Sequence, residues 1–182
     1  MNTSKNNVAL VTGASDGIGA EFVEILAGRG YNLILVARRE EKLNELAVRL
    51  RRKFGVECTV MAADLSEPIA AQNLFQRIED RGLQVNFLIN NAGLLHNGFF
   101  TKLSLEAQEK MIQVNVMALT ALTHLYAGNM SANGGGHILN VASLAGWMAI
   151  PNQNVYAASK AYVVSFSQAL SNEMIAANSG VQ

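Results

Sequence analysis

The sequence predicts a doubly wound α/β domain, a parallel sheet covered by helices on both faces. Three observations carry that prediction. Five short apolar runs recur along the 182 residues, segments with a helical period separate them, and three glycines cluster directly after the first run. The length suits one domain, 1–182, with a full core. We find no repeat, linker or low-complexity tract.

The elements follow in order. "VALVT" (8–12), "NLILVA" (32–37), "VECTVMAA" (56–63), "NFLIN" (86–90) and "HILNVAS" (137–143) read as strands. Their near-continuous apolar character is that of strands buried on both faces. In "REEKLNELAVRLRRKFG", Leu43, Leu46, Ala47, Leu50 and Phe54 mark one helical face, and Gly55 ends it. Ser66, followed by Glu67 and Pro68, reads as the cap of another helix. Ser104 does the same for a helix running to about Gly128, and a last helix spans 154–178. "NGGGH" (133–137) precedes a strand, so it reads as a turn and not as a phosphate loop.

Bulk properties remove several classes. Fourteen basic residues balance fourteen acidic ones, which leaves no basic face for nucleic acid or a membrane surface. A single cysteine, Cys58, allows neither an internal disulfide framework nor a cysteine metal cluster. "MNTSKNN" lacks the apolar core of a signal peptide, and the stretch 114–125 is too short and polar to span a bilayer. These features together suggest a cytoplasmic protein.

The chemistry begins at "TGASDGIG" (12–19). Gly13, Gly17 and Gly19 fall between the first strand and its helix. There a dinucleotide needs a tight turn, a close backbone approach and a close helix–strand contact. The helix start offers unpaired N–H groups to a pyrophosphate. An acid at the end of the second strand would bind a ribose 2′-hydroxyl, but Ala37 stands there and Arg38 and Arg39 follow. Guanidinium groups there suit a 2′-phosphate, so NADP(H) is favoured, with NAD(H) possible. Asp16 works against this, because its carboxylate would lie near the phosphate.

With "NNAG" at 90–93, Asn115, Ser143, and Tyr156 and Lys160 in "YAASK", the sequence resembles the short-chain dehydrogenase/reductase family. It resembles the compact branch, not the longer sugar epimerases and dehydratases. The resemblance runs from about Val8 to the last residue. It implies a Rossmann sheet of strand order 3-2-1-4-5 and a catalytic set of Asn115, Ser143, Tyr156 and Lys160. Tyr156 would exchange a proton with a carbonyl or alcohol oxygen. Lys160 would favour its phenolate and hold the nicotinamide ribose. Ser143 would hydrogen-bond the substrate oxygen, and Asn115 would keep a relay water. Gly13, Ser15, Asp16, Gly17, Ile18, Gly19, Arg38, Arg39, Asp64, Leu65, Asn91, Ala92 and Gly93 would line the cofactor, with Asp64 on the adenine amino group.

Each residue also has a plainer reading. Ser143 could satisfy a strand-end turn, and Asn115 could be a polar residue bonded to a neighbouring strand. His96, His124 and His137 show no metal spacing. The implied substrate is a small carbonyl or alcohol compound. Trp147 and Met148 in "LAGWMAIPN" suggest a fairly apolar or acyl one. The resemblance further implies a homodimer or homotetramer through helices 104–128 and 154–178. Relatives continue into a sixth strand, a substrate-covering loop and a seventh strand. The sequence reading therefore expects a chain lacking the last two strands, with the fifth strand as a bare edge. Catalytic impairment, leaving a nucleotide-binding and dimerising fragment, is the alternative to a working reductase.

Overall fold

The computed structural model describes residues 7–182, and the polar start, 1–6, lies outside the described residues. Five strands form a parallel sheet: β1 (Val8–Thr12), β2 (Asn32–Ala37), β3 (Cys58–Ala62), β4 (Phe87–Asn90) and β5 (His137–Asn140). Their order is β3-β2-β1-β4-β5. The register runs Val8 to Asn32, Leu33 to Cys58, Ala9 to Phe87 and Phe87 to His137. Strand β1 thus lies at the centre, where the winding reverses between β2 and β4 and a crevice opens at the strands' carboxyl ends.

Alternation along β1 builds two cores. Leu10 points to one face, with Ile34, Met61, Leu74, Leu88, Leu122 and Tyr126. Ala9 and Val11 point to the other, with Val23, Leu33, Leu35, Leu43, Leu50 and Ile89. Helices α1 (Gly17–Gly28) and α2 (Glu40–Phe54) cover the second face. On α2 the predicted Leu43, Leu46, Ala47 and Leu50 are the buried residues. Gly55 closes the helix in the left-handed conformation (φ 71°), its N–H donating to the Arg51 carbonyl at 2.9 Å. Helix α3 (Ala70–Glu79) packs on the first face.

Three expectations need correction. Ser66 does not cap α3. Its N–H and hydroxyl both donate to Asp64 Oδ1, at 2.9 and 2.7 Å, and the helix starts only after Ile69, which is left-handed at φ 56°. An adjacent carboxylate captures the serine before the helix can use it. The helix that Ser104 caps, through a 3.2 Å bond from the Ala107 N–H, also runs past Gly128. It comprises α4 (Leu105–Ile112), a π-helical stretch (Gln113–Ala118) and α5 (Leu119–Ala132). Gly128 is tolerated inside it because tertiary packing outweighs glycine's weak helix preference. The strands β3, β4 and β5 are shorter than read. Ser143 thus lies three residues past β5, at the start of a 3₁₀ turn (Leu144–Trp147).

Asn133 to Gly135 form the predicted turn, with φ of 93° and 98° at Gly134 and Gly135. Helix α6 (Asn154–Ala176) follows the 3₁₀ turn and buries Ala157, Ser159, Lys160 and Val163. The edge of β5 is not wholly bare. Gly180 to Gln182 lie parallel to its start, with Gln182 N–H donating to Gly136 at 2.9 Å and Ile138 N–H to Gln182 at 2.8 Å. Val181 is buried there.

Candidate active site

The end of β1 and the start of α1 make one wall of a cleft. A Cβ on Gly13 would lie 2.8 Å from Asn91 Nδ2, and Gly13 takes φ 68°. A Cβ on Gly19 would overlap the Gly13 carbonyl. Gly17 is also left-handed (φ 52°) but faces open space, as backbone that a ligand approaches would. Asp16 occupies the N-cap position of α1, yet its side chain makes no capping bond, so the first-turn N–H groups have no side-chain acceptor. That donor set and those glycine clearances fit a pyrophosphate.

Thr12 ties this wall to the "NNAG" segment. Its hydroxyl accepts from the Asn91 and Ala92 N–H groups, both at 3.0 Å, and donates to the Ile89 carbonyl at 3.3 Å. Asn91 Nδ2 returns a bond to the Thr12 carbonyl at 3.0 Å. Sequence reasoning gave Thr12 no role, and a hydroxyl in the last position of an otherwise apolar strand was the available signal. Asn90 faces away from the cleft, donating to Thr123 Oγ1 (3.0 Å) and Asn140 Oδ1 (2.9 Å).

Beyond the glycines the cleft widens into a cavity of about 280 Å³. Of the predicted cofactor residues, Gly13, Ser15, Asp16, Arg38, Arg39, Asp64, Leu65, Asn91, Ala92 and Gly93 line it. Gly17, Ile18 and Gly19 lie beside it on α1, and Ile18 is exposed. Arg38 and Arg39 stand on the rim. Burial opposes ionisation of Asp64. The Ser66 N–H and hydroxyl, with Arg38 nearby, outweigh it and hold the carboxyl below its ordinary range. Both Ser66 bonds fall on Oδ1, so Oδ2 takes no part in them.

Near Gly93 stand the residues expected to form an acid–base set. Lys160 is 5% exposed, and its Nζ donates to the Val141 carbonyl at 2.7 Å. The same Nζ lies 5.9 Å from the Tyr156 ring centroid. Burial lowers the lysine's proton affinity, and two of its three N–H donors remain for other partners. Asn115, fully buried in the π-helical stretch, clamps the loop after β4. Its Oδ1 accepts from the Leu94 N–H at 2.8 Å and its Nδ2 donates to the Leu94 carbonyl at 2.9 Å. Nδ2 also donates to Ser159 Oγ at 3.0 Å, and Ser159 donates to the Tyr156 carbonyl at 2.7 Å. The chain Asn115–Ser159–Tyr156 thus fixes the tyrosine's turn of α6 to the "NNAG" loop. The partners of Asn115 are thus the Leu94 backbone of that loop and Ser159 of α6, not a neighbouring strand.

A Cβ on Gly93 would come within 3.5 Å of Asn115 Oδ1 and 3.7 Å of Lys160 Nζ, so the "NNAG" glycine sits at the junction of the two. Ser143 is half-buried and its hydroxyl accepts from the Ala145 N–H at 3.2 Å. Its turn presses on α6: a Cβ on Gly146 would fall 2.7 Å from the Lys160 carbonyl. Ser159 bonds to the Tyr156 turn of α6 and Gly146 lies against Lys160, and the sequence reading passed over both. Beside Ser143 an open apolar trough runs along Trp147, Met148, Ile150 and Pro151 to Ala158 and Ala161 of α6.

The short chain dehydrogenase family model matches residues 7–182. The 7beta-hydroxysteroid dehydrogenase of Collinsella aerofaciens is 37% identical over 164 residues, which cover 90% of this chain and 62% of that protein. The very-long-chain 3-oxoacyl-CoA reductase of Mus musculus is 34% identical over 173 residues, covering 91% and 54%. The chain therefore spans between half and two thirds of the length of these relatives. A solved short-chain dehydrogenase from Sphingobium yanoikuyae, in complex with NADPH, superposes with a TM-score of 0.89. It is 37% identical and is matched over 96% of this chain and 67% of its own. Fold, site geometry and sequence agree: the chain belongs to the short-chain dehydrogenase family.

Proposed function

We propose that the protein is an NADP(H)-dependent oxidoreductase that interconverts a carbonyl and a secondary alcohol, working as a reductase on an apolar or acyl compound. One observation carries the reading: a buried lysine locked 5.9 Å from the ring of a tyrosine, whose turn of helix is bonded to the cofactor loop through Ser159 and Asn115. An isolated Tyr–Lys pair on a helix surface would need none of that anchoring.

In reduction the carbonyl carbon takes a hydride and its oxygen takes a proton. A bound nicotinamide supplies the hydride. The Tyr156 hydroxyl gives the proton to the oxygen as negative charge develops there, and solvent later restores it. Lys160 places positive charge one helical turn behind the phenol, and its two free N–H donors suit ribose hydroxyls. The Ser143 hydroxyl can turn from the Ala145 N–H and donate to the substrate oxygen. Asn115 and Ser159 hold the tyrosine's turn in register with the loop. Gly13, Gly17 and Gly19 would hold the nucleotide's pyrophosphate, Asp64 its adenine amino group and Arg38 a 2′-phosphate.

The exposed Leu144, Trp147 and Met148 beside Ser143 support an apolar substrate. A 3-oxoacyl thioester and a keto-steroid, the chemistries named for the two relatives above, are the compounds to try. NADPH consumption should depend on one of them in wild-type protein. NADPH binding without turnover on either would favour a nucleotide-binding module, and no NADPH binding would remove both readings.

We also propose self-association through helices 104–128 and 154–178. Leu105 and Met117 are exposed there, and the rings of Tyr162 and Phe166 stack with centroids 5.5 Å apart. Among the described residues no helix is long and apolar enough to cross a membrane. A cytoplasmic location is part of the proposal.

A further inference from the structure

Asp16 stands at the N-cap of α1, where an aspartate ordinarily accepts from the helix's first N–H groups. Here it turns away from them. Oδ2 is ion-paired with Arg39 and accepts from the Ser15 hydroxyl at 3.3 Å, and Oδ1 lies 3.2 Å from Lys42 Nζ. Arg39 stands at the start of α2, Lys42 one turn further on, and Arg38 just before them. Ser15, Asp16, Arg38 and Arg39 all line the cofactor cavity. Arg39 and Lys42 therefore converge on the Asp16 carboxylate beside Ala37, where no acid is present to accept from a ribose hydroxyl, and Arg38 lines the same cavity nearer Asp64. Arg38 has no ion pair among the described residues, so the carboxylate occupies two of the three cations.

We propose that Asp16 is a resident counter-ion standing in for the 2′-phosphate of NADP(H): it binds Arg39 and Lys42 when the nucleotide is absent and competes with the phosphate for them. The idea rests on the NADP(H) reading above. A 2′-phosphate carries roughly −1.5 to −2 charges and three acceptor oxygens, enough to engage all three cations. While Asp16 remains, the phosphate must share Arg39 and Lys42 with a like charge, which weakens its binding. Asp16 thus acts as a specificity-determining residue that narrows the preference for NADP(H) over NAD(H). The carboxylate that counted against NADP(H) in the sequence tunes the phosphate site without abolishing it.

The test compares wild type with Asp16→Asn, an isosteric change on an exposed side chain, using 2′,5′-ADP and 5′-AMP as calorimetric probes. Circular dichroism and thermal melting check that both proteins are equally folded. The variant should bind 2′,5′-ADP about five-fold or more tightly than wild type, with 5′-AMP affinity unchanged. In an Arg39→Gln background most of that gain should vanish, because the group Asp16 competes for is gone. Unchanged or weakened 2′,5′-ADP binding in Asp16→Asn would overturn the proposal, as would an equal gain for 5′-AMP. Wild-type protein binding neither NADPH nor 2′,5′-ADP would instead overturn the NADP(H) reading on which it rests.

Discussion

Gly19 leaves no room for a methyl group, since a Cβ there would overlap the carbonyl of Gly13. Gly19→Ala should force the loop off the Asn91 amide and reduce nucleotide affinity at least ten-fold, as read by calorimetry, with the fold retained. Gly17→Ala meets no atom but takes a left-handed conformation, so its effect should fall mainly on stability. Gly146 is the complementary case. A methyl group there pushes the Ser143 turn from the Lys160 carbonyl. Gly146→Ala should therefore lower kcat while nucleotide affinity stays near wild type. Lys160 gives a pH prediction. Burial lowers its pKa in the folded state, so folding disfavours the protonated form. Its contribution to stability is least favourable at low pH and improves as pH rises through the folded pKa toward the free-lysine value near ~10.4. Wild type compared with Lys160→Met in denaturant titrations should show that difference in slope on the alkaline side. The proposed catalytic positions could be picked out because spacing and residue type are visible in sequence. Ser159 and Thr12 were not, since a hydroxyl's partner depends on elements 44 and 79 residues away in the chain.

At the scale of elements, α2 was readable from its apolar period and its glycine stop, both of which are local properties. The helix containing Asn115 was readable only in part. Its Ser104 cap is local, whereas the π-helical stretch answers to packing against the loop after β4 and to the Leu94 bonds. The widened turn brings Val114, Asn115 and Ala118 inward together. Asn115→Ala should free the Leu94 N–H and carbonyl and Ser159 at once. A loss of about 1–3 kcal/mol for unpaired buried groups is expected in denaturant melts, with a fall in kcat. Asn115→Leu, which fills the space without the bonds, should not restore activity. The start of α3 escaped prediction because the Ser66 hydroxyl, which could have accepted from a helix N–H, is drawn to the nearby Asp64 carboxylate instead.

For the whole molecule, the strand order places the glycine loop of β1, the "NNAG" loop of β4 and the turn after β5 at one end of the sheet. A family resemblance could supply that convergence, but the sequence could not supply the outer edge of β5. There Gly180 to Gln182 pair in parallel with the strand start and bury Val181. Val181→Ser should loosen this pairing and raise hydrogen exchange at the Ile138 amide, which donates to Gln182. The proposed self-association belongs to this scale too. Met117→Lys, on the exposed face of the long helix, should shift the sedimentation profile toward monomer without altering NADPH affinity. The central claim is that Tyr156 passes the proton while its surroundings hold the nucleotide. It is tested most directly by Tyr156→Phe, with NADPH affinity and reduction rate measured on the same preparation. The account predicts NADPH affinity within about two-fold of wild type and a rate lower by about 10²- to 10⁴-fold. A variant that reduces substrate at the wild-type rate would contradict it.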